Sequence, residues 1–187
     1  MIRKILPYAK DACRLLQIRM RASGGEKNYF LFIIIAVIVL LLDQVSKWIV
    51  VNNIEAHQII SIVPGFFRFV LVKNRGIAFG ILSKKMSGFY CYFLLLTTIG
   101  VTGVILFFFF WIRKATKWLT VGLSLIFGGA LGNLADRVRL GYVIDFLDFF
   151  LKDYHWPAFN VADSAVTIGT FLLLLNIIRG RNIIEAT

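Results

Sequence analysis

Residues 29–51 read YFLFIIIAVIVLLLDQVSKWIVV. As a helix this stretch would reach roughly 34 Å, enough to cross the hydrocarbon of a bilayer. Basic residues precede it, as in a secretory leader. No small-x-small cleavage pattern follows, however, and Asp43 interrupts the apolar run, so the segment reads as a retained span. Three further runs follow, at 87–112, 118–136 and about 160–178. Of the 187 residues 59% are hydrophobic and 17% charged, too apolar for an ordinary soluble domain. The pattern predicts an all-α membrane protein with four transmembrane helices.

The connections carry the remaining organisation. Between the first two spans, QIISIV (58–63) and FFRFVLV (66–72) have strand character, with Pro64-Gly65 as the turn between them. They predict a small β-rich connection at the outer membrane surface, followed by KNRGIAFG at 73–80. Residues 137–158 read as a connection into the fourth span. Residues 1–28 read as a basic cytoplasmic extension, and residues 29–187 as one four-helix membrane domain. In the extension Ile5, Ala9, Ala12, Leu16 and Met20 share one helical face. Lys10, Arg14, Gln17 and Arg21 share the other. Two readings stand: a helix on an anionic leaflet, or a disordered basic tail.

Four spans put both termini on one side. That side carries twelve Lys and Arg residues, against eight on the other. The bias, dominated by the tail nearest the first span, predicts cytoplasmic termini. Trp48, Trp111, Trp118 and Trp156 fall near span ends, where indole rings prefer to lie. The net charge of +11 sits mostly between the apolar runs. That placement suits lipid headgroups, and no basic stripe interleaved with aromatics points to nucleic acid. Cys13 and Cys91 should lie at different depths and form no disulfide. His57 and His155 are isolated, so no metal site or cofactor is expected.

Polar residues gather at one end of the predicted bundle. Asn133, Asp136 and Arg137 close the third span, and Asn160, Asp163 and Ser164 open the fourth. Asp145 lies in the outer connection, and Asp43 roughly 12 Å below the outer end of the first span. A carboxylate at a membrane boundary is costly and is a functional candidate. Asp145 and Asp163, if within reach, could share a proton, one activating water while the other polarises a carbonyl. Asp136 beside Arg137 reads as an Arg–carboxylate clamp, and Arg137 could also hold a substrate carbonyl. Asn74, Asn133 and Asn160 offer uncharged amides, to hold an extended peptide or orient the carboxylates. Taken singly, each reads first as a helix cap or turn residue. Asp43 and Lys47, spaced i, i+4, share a face and could be a neutralising pair. Ser46 and Lys47 point about 100° apart and cannot form a hydrogen-bonded dyad. A transporter would need polar groups at the midplane and a route to both faces. The one-sided cluster favours chemistry on something entering laterally from the outer leaflet. A non-enzymatic scaffold is a third reading, separable only by activity.

LDQVSK (42–47), KNRGIAFG (73–80), GGALGNLADR (128–137), GYVIDF (141–146) and FNVADSA (159–165) together resemble the lipoprotein signal peptidase family, signal peptidase II, in order and spacing over roughly residues 30–178. The resemblance implies a membrane aspartic endopeptidase of the bacterial cytoplasmic membrane with its active site at the outer face. It would cleave diacylglyceryl-modified prolipoproteins just before the lipidated cysteine. It implies a catalytic pair at Asp145 and Asp163, with supporting positions at Asp43, Asn74, Asn133, Asp136, Arg137 and Asn160. Asp148 lies near the first carboxylate, but the motif register gives Asp145 the role. The chemistry implied needs no metal. The partners implied are lipidated prolipoproteins, membrane lipids and globomycin-type inhibitors. The first 28 residues lie outside the resemblance.

Overall fold

The computed structural model describes residues 29–55, 58–76, 87–111 and 116–185. The basic extension at 1–28, the stretch 77–80 of KNRGIAFG, and His57 lie outside the described residues. The elements run α1 (Tyr29–Asn53), β1 (Ile60–Val63), β2 (Phe67–Asn74), α2 (Ser87–Trp111), α3 (Lys117–Leu140), β3 (Val143–Leu151), β4 (Tyr154–His155) and α4 (Val161–Glu185). Each of the four helices contains a stretch long and apolar enough to cross a membrane. The expected architecture of four spans and a small sheet is therefore present, and the chain is a multi-pass membrane protein.

α1 buries one stripe: Phe32, Ala36, Val39, Asp43, Lys47 and Val50. These steps of three and four residues keep one face inward. Its other faces expose Phe30, Ile33, Leu41, Leu42 and Val45, the pattern of a helix bathed in lipid. α3 lies centrally, packed on the other three helices. It can do so because its inward positions are small. A Cβ on Gly128 would stand 2.7 Å from the Ala36 carbonyl oxygen of α1, and one on Gly129 would strike the Ala162 carbonyl of α4. Without water to expel, such close backbone approach is what holds membrane helices together. Buried hydroxyls on the helices are satisfied locally: Ser124 donates to the Thr120 carbonyl and Thr102 to that of Thr98. Thr116 caps α3, accepting from Leu119 N–H at 3.1 Å, and also accepts from Asn176 of α4. Gly141 ends α3 in the left-handed region at φ 77° and donates to the Arg137 carbonyl.

The four strands form one antiparallel sheet in the order β1-β2-β3-β4 at one end of the bundle. The strand pair expected in the first connection is present as β1 and β2, with Gly65 at φ 76° between them. The expectation for 137–158 is corrected. That stretch is no plain connection but supplies β3 and β4, and β3 is an inner strand of the sheet. From Val143 to Phe146 every residue is buried, so the polar/apolar alternation that marks a half-exposed strand is absent. Val50 of α1 and Ile54, just past its end, pack with Phe146 of β3, and Ile60, Phe69, Leu71, Leu147 and Val161 close around them. This cluster seats the sheet on the ends of α1 and α4. Phe159 bridges to Leu147, its carbonyl accepting from the Phe146 and Leu147 N–H groups. The chain entering α4 is thereby tied alongside β3.

Candidate functional site

The residues singled out from the sequence converge where the sheet meets the bundle. Asp145 points from β3 and is 1% exposed. Its Oδ2 accepts from Asn74 Nδ2 at 2.8 Å and its Oδ1 from Asn160 Nδ2 at 2.7 Å. In the β2–β3 register Asn74 pairs with Val143, so it reaches Asp145 as a diagonal cross-strand neighbour. Asn74 also accepts from the Gly76 N–H, holding the end of β2 in a turn. Burial is the main cause that raises the Asp145 carboxyl, to about 6. The Asn74 bond opposes it, the negative charge of Asp163 adds to it, and Asn160 and Lys47 oppose it.

Asp163 is half-buried at the third position of α4. There it forms a reciprocal cap with Asn160. The Asn160 Oδ1 accepts from Asp163 N–H at 2.9 Å, and the Asp163 Oδ2 accepts from Asn160 N–H at 3.2 Å. The other carboxylate oxygen accepts from Asn133 Nδ2 at 2.8 Å. Asn160 is fully buried and touches both carboxylates, Asp145 through its side chain and Asp163 through its backbone. The spacing N-x-x-D at 160–163 carries this cap in the sequence itself.

Beneath the two carboxylates lies a second charged group. Lys47 Nζ stands 2.8 Å from Asp43 Oδ2, 2.8 Å from Asp136 Oδ2 and 3.1 Å from Asn133 Oδ1. Asp43 Oδ1 accepts from Ala162 N–H at 2.9 Å, satisfying one of the open donors at the start of α4. Asp136 Oδ2 accepts from Ile144 N–H at 3.1 Å, which anchors the residue next to Asp145. Gln44 Nε2 lies 3.2 Å from Asp43 Oδ2 and 3.1 Å from Asp136 Oδ1. Gly132 makes room for all of this: a Cβ there would stand 2.5 Å from Asp43 Oδ2.

Several sequence readings are confirmed in geometry and others corrected. The Asp43–Lys47 pair forms as its spacing implied. The expected Asp136–Arg137 clamp is replaced: among the described residues the cation at salt-bridge distance from Asp136 is Lys47. Neighbours in a helix diverge by about 100°, so adjacency does not bring their side chains together. Arg137 instead donates to the Asn133 backbone carbonyl at 3.4 Å. Asp148 lies an odd number of residues from Asp145 on one strand and so points to the opposite face. It binds Arg68 Nε at 2.6 Å and His155 Nδ1 at 3.1 Å, and His155 stacks on Phe150. His155 is therefore a partnered residue of the sheet rather than an isolated one. Sequence reasoning passed over Lys47 and Gln44 as site members. An ammonium inside a span needs more than one acceptor, and that was the available signal.

The family model for signal peptidase (SPase) II matches residues 35–179. The chain is 45% identical over 154 residues to a lipoprotein signal peptidase of Geobacter metallireducens, covering 82% of this chain and 94% of that protein. It is 40% identical over 154 residues to the lipoprotein signal peptidase of Syntrophus aciditrophicus, covering 82% and 96%. It superposes on a bacterial membrane enzyme solved in meso with a TM-score of 0.73 at 34% identity, covering 83% of this chain and 92% of the other.

Proposed function

The chain belongs to the signal peptidase II family, and from that premise we propose that it removes signal peptides from prolipoproteins with Asp145 and Asp163 as an aspartic pair. The observation that supports the pair is Asn160, which hydrogen-bonds Asp145 with its side chain and Asp163 with its backbone N–H.

The roles follow from environment. Asp163 stands at a helix N-terminus, accepts two N–H groups and is half-exposed, where a water can reach it, so it takes the part of the base. Asp145 is buried in a strand, and its carboxyl, pushed up to about 6, keeps its proton to higher pH than an ordinary carboxyl and takes the part of the acid. Asp163 takes a proton from water as the water oxygen bonds to the scissile carbonyl carbon. Asp145 gives its proton to the carbonyl oxygen. When the tetrahedral intermediate collapses, the C–N bond breaks. The proton taken by Asp163 goes to the leaving nitrogen, and the carbonyl oxygen's proton returns to Asp145. The products are a signal peptide ending in a carboxylate and a mature chain starting at the lipidated cysteine.

Both termini are cytoplasmic and the sheet end faces outward, on the charge bias of the connections and tail. The substrate's acyl chains lie against exposed apolar helix faces, and its peptide runs extended beside the sheet. Lipid transfer itself is worth little, because the precursor is already in the bilayer. The lipid instead holds the scissile bond at the depth of the two carboxylates. The test is initial-rate kinetics on matched lipidated and unlipidated precursors in one detergent, with and without globomycin. We expect kcat/KM to fall at least about tenfold without the lipid, and turnover to vanish in Asp145→Asn and Asp163→Asn. Either single variant retaining more than about a tenth of kcat contradicts the pair.

A further inference from the structure

Lys47 has no task in the reaction just described, yet it sits at the centre of the polar cluster with 2% exposure. Its three acceptors are Asp43, Asp136 and Asn133. Two carboxylates already exceed its charge, so the bond to Asn133 is not needed for neutrality. Its consequence is directional. An ammonium only donates, so the oxygen end of the Asn133 amide must face Lys47. Asn160 Nδ2 also points at that oxygen, at 3.2 Å. The nitrogen end is thereby turned to Asp163 Oδ1, at 2.8 Å. A reversed amide would set an oxygen against the Asp163 carboxylate and an NH₂ against the ammonium, two repulsive contacts in place of two bonds.

We infer that Lys47 is a positioning residue that holds the Asn133 amide in the one orientation presenting an N–H to Asp163, and so fixes the Asp163 side chain in place for the reaction. The inference rests on the aspartic reading above. The charged groups around this relay are Asp43 on α1, Asp136 and Arg137 on α3, and Asp145 on β3. The relay differs from a packing role because it acts on the placement of a reacting side chain two hydrogen bonds away. Loss of the N–H lowers kcat while substrate binding is left alone, so the split between kcat and KM reports on it.

The experiment measures kcat and KM of the full chain in detergent with a lipidated precursor. Lys47→Met/Asp136→Asn keeps the net charge of the buried cluster while removing the ammonium. Lys47→Arg keeps a cation but moves its donors. Asn133→Asp keeps three acceptors around Lys47, removes the N–H facing Asp163 and adds a negative charge. In each variant kcat falls at least about tenfold, with KM within about twofold of wild type. A kcat within about twofold of wild type, in Asn133→Asp or in any Lys47 variant that folds, overturns the inference. Should neither Lys47 variant fold, Asn133→Asp decides alone. An active Asp163→Asn control would instead remove the aspartic reading itself, whereas an inactive control with kcat unchanged in the Lys47 variants removes only the role of Lys47.

Discussion

Replacing Asn160 by alanine perturbs the site at a residue both carboxylates touch. The substitution deletes the cap on Asp163 N–H and the amide that donates to Asp145 Oδ1 at 2.7 Å. Loss of an N-cap costs about 1 kcal/mol, and the buried oxygens of Asn133 and Ile144 lose a donor, so destabilisation of about 2–4 kcal/mol is expected. A hydrogen bond to a charged group is worth about 1.5–3 kcal/mol, which at 1.36 kcal/mol per pH unit displaces Asp145 upward by roughly one to two units from its value of about 6. The sign is set by which form is bonded: the lost donor stabilised the carboxylate, so the proton is retained to higher pH. In wild type kcat/KM is expected to fall as pH rises through about 6, as the free enzyme loses this proton. In Asn160→Ala that basic limb should lie higher, while kcat drops by about a hundredfold because Asp145 is no longer tied to the backbone N–H that still holds Asp163. The assays are kcat/KM against pH on a lipidated precursor, and thermal unfolding in the same detergent. A variant with more than about half of wild-type kcat and an unmoved basic limb would refute the claim that Asn160 joins the pair.

Three further outcomes are expected. Gly132→Ala places a methyl group against Asp43 Oδ2 and should destabilise the protein by about 1–3 kcal/mol with loss of turnover, read by thermal unfolding and initial rates; a neutral variant would mean that the polar cluster tolerates displacement. Turnover should survive exhaustive chelation, since two carboxylates supply acid and base; loss on EDTA with rescue by a divalent ion contradicts the mechanism. With Cys13 and Cys91 replaced, cysteines at Asn53 and Lys152 should label from outside the cytoplasmic membrane and one at Lys117 should not. The reverse pattern would put the pair on the cytoplasmic side.

The sequence by itself determined the spans and the residue types of the site. A bilayer has a set thickness and tolerates no unsatisfied backbone, so about twenty apolar residues in a row can only be a spanning helix. The strand pair at 60–74 was legible because a turn dipeptide separates its halves. The expense of carboxylates at a membrane boundary marked Asp145 and Asp163 before any contact was known. Local spacing also carried Asp43–Lys47, four residues apart on one face, and the Asn160–Asp163 cap, though that cap was not read from it.

What spacing could not carry is decided by packing between distant segments. β3 loses its alternation because the bundle and the neighbouring strands bury both sides of Val143–Phe146. Asp136 meets Lys47 from another helix rather than its neighbour Arg137, because adjacent helical residues diverge while facing helices bring side chains together. Asn74 becomes a donor to Asp145 only through the register of β2 on β3. The charge balance of the site is likewise a tertiary property. Whether a buried carboxyl holds a proton depends on the donors and charges set around it, and here those come from α1, β2, α3, β3 and α4 together.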